Sequence, residues 1–169
     1  PSETVAAVIQ GGVPSTGISV NDERRAVLER HIRQTILLAE DVATGVAPQP
    51  DVVIWPENAV DIDPYRTPEI ADAITAAAGV VGAPIVIGAI IDAPGDASMI
   101  ANAGIVWDPV SGPGDAYLKR HPVPFGEFIP FRSLIAPLVG RLDRVPRDMR
   151  AGDEPGVLRA GDVVLGDVI

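Results

Sequence analysis

Three short apolar runs constrain the fold more than any other feature of the chain. TVAAVIQ (4–10), DVVIW (51–55) and APIVIGAII (83–91) are rich in β-branched residues and bounded by Gly or Pro. Runs of that length between turn residues read as buried strands. Two segments of helical period separate them. NDERRAVLERHIRQTILLAEDVA (21–43) can be capped by Asn21, with Asp22 and Glu23 at the electropositive N-terminal end. Leu28, Ile32, Thr35, Ile36, Ala39 and Val42 fall on one stripe, and Gly45 and Pro48 stop the helix. TPEIADAITAAAG (67–79) has Thr67 as cap, Pro68 at the first helical position, and Ile70, Ala73, Ile74 and Ala77 on its apolar side. Strand, helix, strand, helix, strand predicts an α/β fold with helical crossovers between parallel strands.

The second half reads differently. MIANAGIVWD (99–108) and GDAYLK (114–119) flank the turn-rich DPVSGPG, which predicts a hairpin extending the sheet. Residues 120–155 form a Pro- and Arg-rich loop region, within a chain whose 169 residues suit a single domain or a large piece of one, with one short helix expected at SLIAPLVGRL (133–142). A connection that long in a compact domain tends to be functional or mobile. GDVVLGDVI (161–169) reads as a last core strand. Only 4% of residues are aromatic, so the core must rest on Val, Ile, Leu and Ala.

Charge and composition exclude several classes. The formal charge of −10 at pH 7 disfavours a nucleic-acid or phosphate groove. The acidity is uneven: residues 115–150 hold seven Lys/Arg and four Asp/Glu. There is no cysteine, hence no disulfide, cysteine metal site or cysteine nucleophile within these residues. Two histidines 90 positions apart do not make a zinc site, and QGGVPSTG matches no phosphate loop. No cofactor and no metal are expected. No apolar run reaches the roughly 20 residues of a membrane helix.

Three ionisable residues stand where chemistry could use them. Glu57 follows a buried strand in VVIWPEN, at the end of the sheet where open α/β folds place their sites. Trp55 is expected to shield its carboxylate from water. Lys119 ends a strand in AYLKRH, and Glu127 sits on stiff backbone in VPFGEFIP, between Pro122, Pro124 and Pro130. Position alone leaves each of them either functional or a solvated surface charge. His121 reads more readily as a structural hydrogen-bonder than as a base.

Taken together, WPEN after one strand, YLKRH after another and then VPFGEFIPF resemble the nitrilase (carbon–nitrogen hydrolase) superfamily. The form K-x-H-x-V-P-F-G-E-F-x-P resembles its membrane-bound branch, the apolipoprotein N-acyltransferases; Pro122 stands where that branch commonly has Leu. The resemblance runs from VAAVIQGG to the last strand. It implies an α-β-β-α sandwich, here incomplete, with Glu57 as general base, Lys119 as cationic oxyanion stabiliser and Glu127 as the second glutamate that orients the lysine. The family's cysteine nucleophile would follow Ile169, so the chain is expected to be a segment without activity of its own and of low stability alone. The implied partners are a phospholipid acyl donor and a lipoprotein acceptor at the outer face of the plasma membrane. Residues 128–150 are expected to dock on that membrane through apolar side chains and arginines 132, 141, 144, 147 and 150. A soluble amidase or nitrilase and a non-catalytic scaffold are the alternatives.

Overall fold

The computed structural model of the chain describes residues 3–12, 19–132 and 146–169. Strands β1 (Ala6–Val8), β2 (Val52–Ile54), β3 (Ile85–Ala93), β4 (Asp96–Asp108) and β5 (Gly112–Leu118) form one sheet in sequence order. The first three run parallel and the last three antiparallel. Helices α1 (Val20–Ala43) and α2 (Pro68–Val81) make the two crossovers. A separate hairpin of β6 (Val157–Ala160) and β7 (Val163–Gly166) completes the described elements.

Strand periodicity sorts the sheet into two faces. Val53, Ile85, Ile87, Ile105 and Trp107 meet Leu28, Ile70, Ile74 and Ala78 of the helices in the larger core. Val52, Val86, Val106 and Tyr117 point the other way, onto Leu158 and Ala160 of the β6–β7 hairpin. The layers are thus α-β-β, in the order the sandwich requires. Full burial of an aliphatic side chain here contributes about 1.5–3 kcal/mol.

Several local expectations shift. β1 is an edge strand with Val8 74% exposed, where the sequence reads as fully buried. Its apolar run alone does not reveal that no strand among the described residues covers its outer side. Ser19, not Asn21, caps α1: its hydroxyl accepts the Asp22 N–H at 3.3 Å. The buried stripe of α1 is Leu28, His31 and Thr35, and Ile36 is an exposed residue. β7 has a half-exposed, alternating pattern, so the last run is not a core strand; the deeper contacts come from β6, which was not expected. The helix expected at 133–142 lies outside the described residues.

The stripe rotates because His31 is held by both ring nitrogens. Nδ1 donates to the Val27 carbonyl at 2.8 Å, and Nε2 accepts the Gly11 N–H at 3.1 Å. Only the neutral ring can do both. A Cβ on Gly11 would lie 2.7 Å from Nδ1, so glycine lets β1's exit pass this close. Burial lowers the His31 pKa, against a smaller opposing effect of the Val27 carbonyl. A depressed value means that the unfolded chain binds the proton first. The stabilisation is therefore complete above the ordinary histidine value of about 6.5 and is lost as pH falls toward the folded value, with a limiting slope of about 1.4 kcal/mol per pH unit. Urea unfolding between pH 7.5 and 5 checks this: His31→Gln should flatten the dependence in that window, and an unchanged slope would refute the assignment.

Candidate active site

Glu57 owes its position to a bulge. The Trp55 N–H donates to the Val86 carbonyl at 2.8 Å, and pairing with β3 resumes only where the Val60 N–H reaches Gly88 at 3.0 Å. Between them Pro56 has no N–H to give, and Asn58 takes a left-handed φ of 60°. The excess residues loop out over β3. Gly88 makes room for them: a Cβ there would stand 2.5 Å from the Pro56 carbonyl oxygen and 2.6 Å from Glu57 Cα. Glu57 is thereby carried onto the face covered by the β6–β7 hairpin.

Trp55 goes to the opposite side. Its indole N–H donates to Thr35 Oγ1 at 3.0 Å, and its ring lies 5.6 Å from that of His31. It does not shield Glu57, whose side chain stays 37% exposed. On a regular strand the two would share a face; the bulge removes that relation.

Lys119 follows β5 directly. Its N–H donates to the Asn102 carbonyl and its own carbonyl accepts from Gly152, both at 2.9 Å. The residue is 8% exposed. Nζ lies 3.0 Å from Glu57 Oε1 and 2.8 Å from Glu127 Oε1. Burial works to lower the lysine pKa, but hydrogen bonds and charge from Glu127 and Glu57 outweigh it and raise the value above normal. The ammonium form is therefore secure at neutral pH.

Glu127 is fixed by its own loop. The Gly126 and Glu127 N–H groups donate to the Val123 carbonyl, and Glu127 Oε2 accepts the Val123 N–H at 2.7 Å. The Met149 N–H donates to the Glu127 carbonyl at 2.8 Å. The Ile129 N–H donates to Asp148, which also pairs with Arg132. Phe125 and Phe131 hold positive φ values of 63° and 52°, uncommon for bulky residues, and both rings are exposed. His121 is exposed and takes no part in the cluster.

The structure thus brings Glu57, Lys119 and Glu127 to one point, 62 and 8 positions apart in sequence. It adds residues that the sequence reading missed. Asn102 Nδ2 donates to Glu57 Oε1 at 2.6 Å. The Asp167 carboxylate lies against Gly104, in the space a Cβ would occupy. Burial raises the Asp167 pKa, partly opposed by the Val168 N–H and supported by the charge of Glu57. Asp61 is likewise raised by burial, with Arg24 opposing and Glu23 and Glu57 adding to it. A signal was present in the strands themselves: Asn102, Gly104 and Gly88 interrupt apolar runs where amides and glycines are disfavoured. Gly88 and Gly104 face each other across β3 and β4.

Two clefts open beside the cluster. One of about 430 Å³ is lined by Glu57, Asn58, Asp61, Val27 and Gln10. The other, of about 330 Å³, is lined by Glu127, Gly126, Asn58, Ile100 and Met149. A roomier cavity of about 520 Å³ between Arg24, Asp63 and Arg147 contains none of the three residues. Among the described residues no group of His, Asp or Glu is placed to hold a metal ion.

No family model matches the chain. It is 43% identical over 166 residues to an apolipoprotein N-acyltransferase of Mycolicibacterium smegmatis, covering 96% of this chain and 28% of that protein. An apolipoprotein N-acyltransferase of Rhizobium leguminosarum bv. trifolii is 31% identical over 137 residues, 78% of this chain and 24% of its own length. The chain therefore spans about a quarter of these relatives. Among solved structures, the amidase from Nesterenkonia sp. AN1, bearing acrylamide at its active-site cysteine, superposes with a TM-score of 0.57 at 11% identity, covering 97% of this chain and 56% of that one. A carbon–nitrogen hydrolase from Helicobacter pylori G27 gives 0.53 at 16% identity, over 73% and 41%. The chain is a relative of the apolipoprotein N-acyltransferases, matching about a quarter of their length, and has the fold of the carbon–nitrogen hydrolases.

Proposed function

We propose that the chain carries the acid–base and oxyanion part of an acyltransferase site, working with a cysteine supplied from outside these residues. The observation behind this reading is a single buried ammonium held between two carboxylates, Lys119 between Glu57 and Glu127. Glu57, the more exposed carboxylate, takes the thiol proton. The thiolate attacks the ester carbonyl of a phospholipid, and Lys119 Nζ stabilises the oxyanion. Collapse expels the lysophospholipid alkoxide, which receives the proton from Glu57, and leaves a thioester. The α-amine of a lipoprotein's N-terminal cysteine then attacks the thioester, gives its proton to Glu57, and departs as the amide. The regenerated thiolate recovers that proton. Glu127, already bound through Oε2 to its own loop, keeps Nζ in place.

On this reading the parent polypeptide works at the plasma membrane, with this domain on the extracytoplasmic side. Among the described residues no helix is long and apolar enough to cross a bilayer. Contact with lipid would come from residues 128–150 and the neighbouring loop, where Phe125 and Phe131 are 64% and 79% exposed. Three of the five arginines also bond within the fold. Arg132 pairs with Asp148, Arg147 with Asp92, and Arg150 donates to the Pro94 carbonyl. Arg141 and Arg144, with Leu134, Ile135, Leu138 and Val139, lie outside the described residues.

The amidase neighbours favour one other reading, hydrolysis of a small amide by the same residues. Both are tested with the full-length polypeptide, vesicles of labelled phospholipid and a lipopeptide with a free α-amine. The expected result is label on the peptide, lost in Glu57→Gln, with wild-type protein floating with the vesicles. Hydrolysis of small amides without transfer to the peptide would select the amidase reading, and full transfer by Glu57→Gln would remove the role of Glu57 as base.

A further inference from the structure

β4 places an amide in the middle of a buried apolar run, MIANAGIVW. Asn102 is 1% exposed and faces Ile90 across the sheet. Its backbone carbonyl accepts the Lys119 N–H at 2.9 Å. Its Nδ2 donates to Glu57 Oε1 at 2.6 Å, the same oxygen that takes Lys119 Nζ at 3.0 Å. Its Oδ1 is buried and has no hydrogen-bond partner among the described residues. A buried amide satisfied at one end only is disfavoured against an aliphatic residue of similar size, so its retention calls for a use of the satisfied end.

We infer that Asn102 is a positioning residue for Glu57, holding Oε1 between an amide and an ammonium so that Oε2 is the oxygen that receives and returns the proton. This rests on the proposed role of Glu57 as base. The last torsion of a glutamate is broad, and two donors on one oxygen narrow it. Oε2 accepts no hydrogen bond among the described residues, and the side chain keeps an open edge toward the cleft. A carboxylate can only accept, so the atom of Asn102 that faces it must be Nδ2. With Oδ1 unpartnered, the charge on Glu57 is what orients the amide. Asn102 thus joins the base to the backbone of the cation.

Asn102→Leu and Asn102→Asp are compared with wild type and with Glu57→Gln for acyl transfer by the full-length polypeptide on phospholipid vesicles. Asn102→Leu is expected to lower kcat about 10- to 100-fold with KM within about twofold. Asn102→Asp keeps the shape but sets a second carboxylate against Glu57. Its kcat should be lowest at neutral pH and recover as the introduced carboxyl gains a proton that it can donate; wild type should show no such gain. The isosteric variant keeps the test readable should Asn102→Leu fail to fold. Wild-type kcat in Asn102→Leu, or a wild-type pH profile in Asn102→Asp, overturns the inference. If either occurs while Glu57→Gln is inactive, the inference alone fails; if Glu57→Gln is also fully active, the role of Glu57 as base fails with it.

Discussion

Lys119→Met lowers kcat for acyl transfer by at least about 10²–10³-fold, the range for loss of one oxyanion-stabilising donor in a water-poor site. Methionine fills nearly the same volume but presents no charge. Two further effects act in the same direction. Glu57 and Glu127 lose the ammonium between them, at 3.0 and 2.8 Å, and repel each other. Glu127 retains its bond to the Val123 N–H, so Glu57 is the group that moves. The expected loss of stability is about 1–3 kcal/mol, below that for a fully buried pair, because Glu57 is 37% exposed and water screens it. Lys119→Arg is no rescue, since a planar guanidinium is larger and binds in a fork. Single-turnover kinetics on the full-length polypeptide provide the check. A Lys119→Met variant within tenfold of wild type would remove the oxyanion role.

Gly88→Ala has the second large effect, and it acts through geometry alone. The added methyl meets backbone, the Pro56 carbonyl at 2.5 Å and Glu57 Cα at 2.6 Å. Backbone cannot rotate aside as a side chain can, so the bulge must lift. Overpacking of this kind destabilises by about 1–3 kcal/mol. Displacing a catalytic group by about 1 Å costs on the order of 10²-fold in rate. Gly104→Ala is the internal comparison. Its methyl meets the far end of the Asp167 side chain, which can swing away, so the loss should be clearly smaller. Urea denaturation and kcat measured on both variants decide the matter; equal effects at the two positions would refute the bulge argument.

Much of the fold was legible in the chain. β2, α2 and the β4–β5 hairpin follow from apolar period and turn residues, signals that lie within a few neighbouring positions. The family resemblance, carried by WPEN and YLKRHPVPFGEF, named Glu57, Lys119 and Glu127 together. What was illegible depended on distant partners. The exposure of β1 depends on which strand lies beyond it. The cap of α1 moved to Ser19, and its buried stripe moved to His31 because Gly11 comes close enough to bond the ring. Trp55 was expected over Glu57 and lies under α1 instead.

The sequence by itself determined β1 to β5, the two helices, their order and the ionisable residues carried at strand ends, because period, turn chemistry and motif are local properties of the chain. Only the tertiary structure decided that these residues meet. A bulge seated on Gly88 and a proline-stiffened loop closed by Glu127 bring three charged groups to hydrogen-bond distance, and Asn102 joins them from within the sheet. Such contacts are a matter of ångströms between segments up to 62 residues apart, and no pattern along one strand encodes that distance.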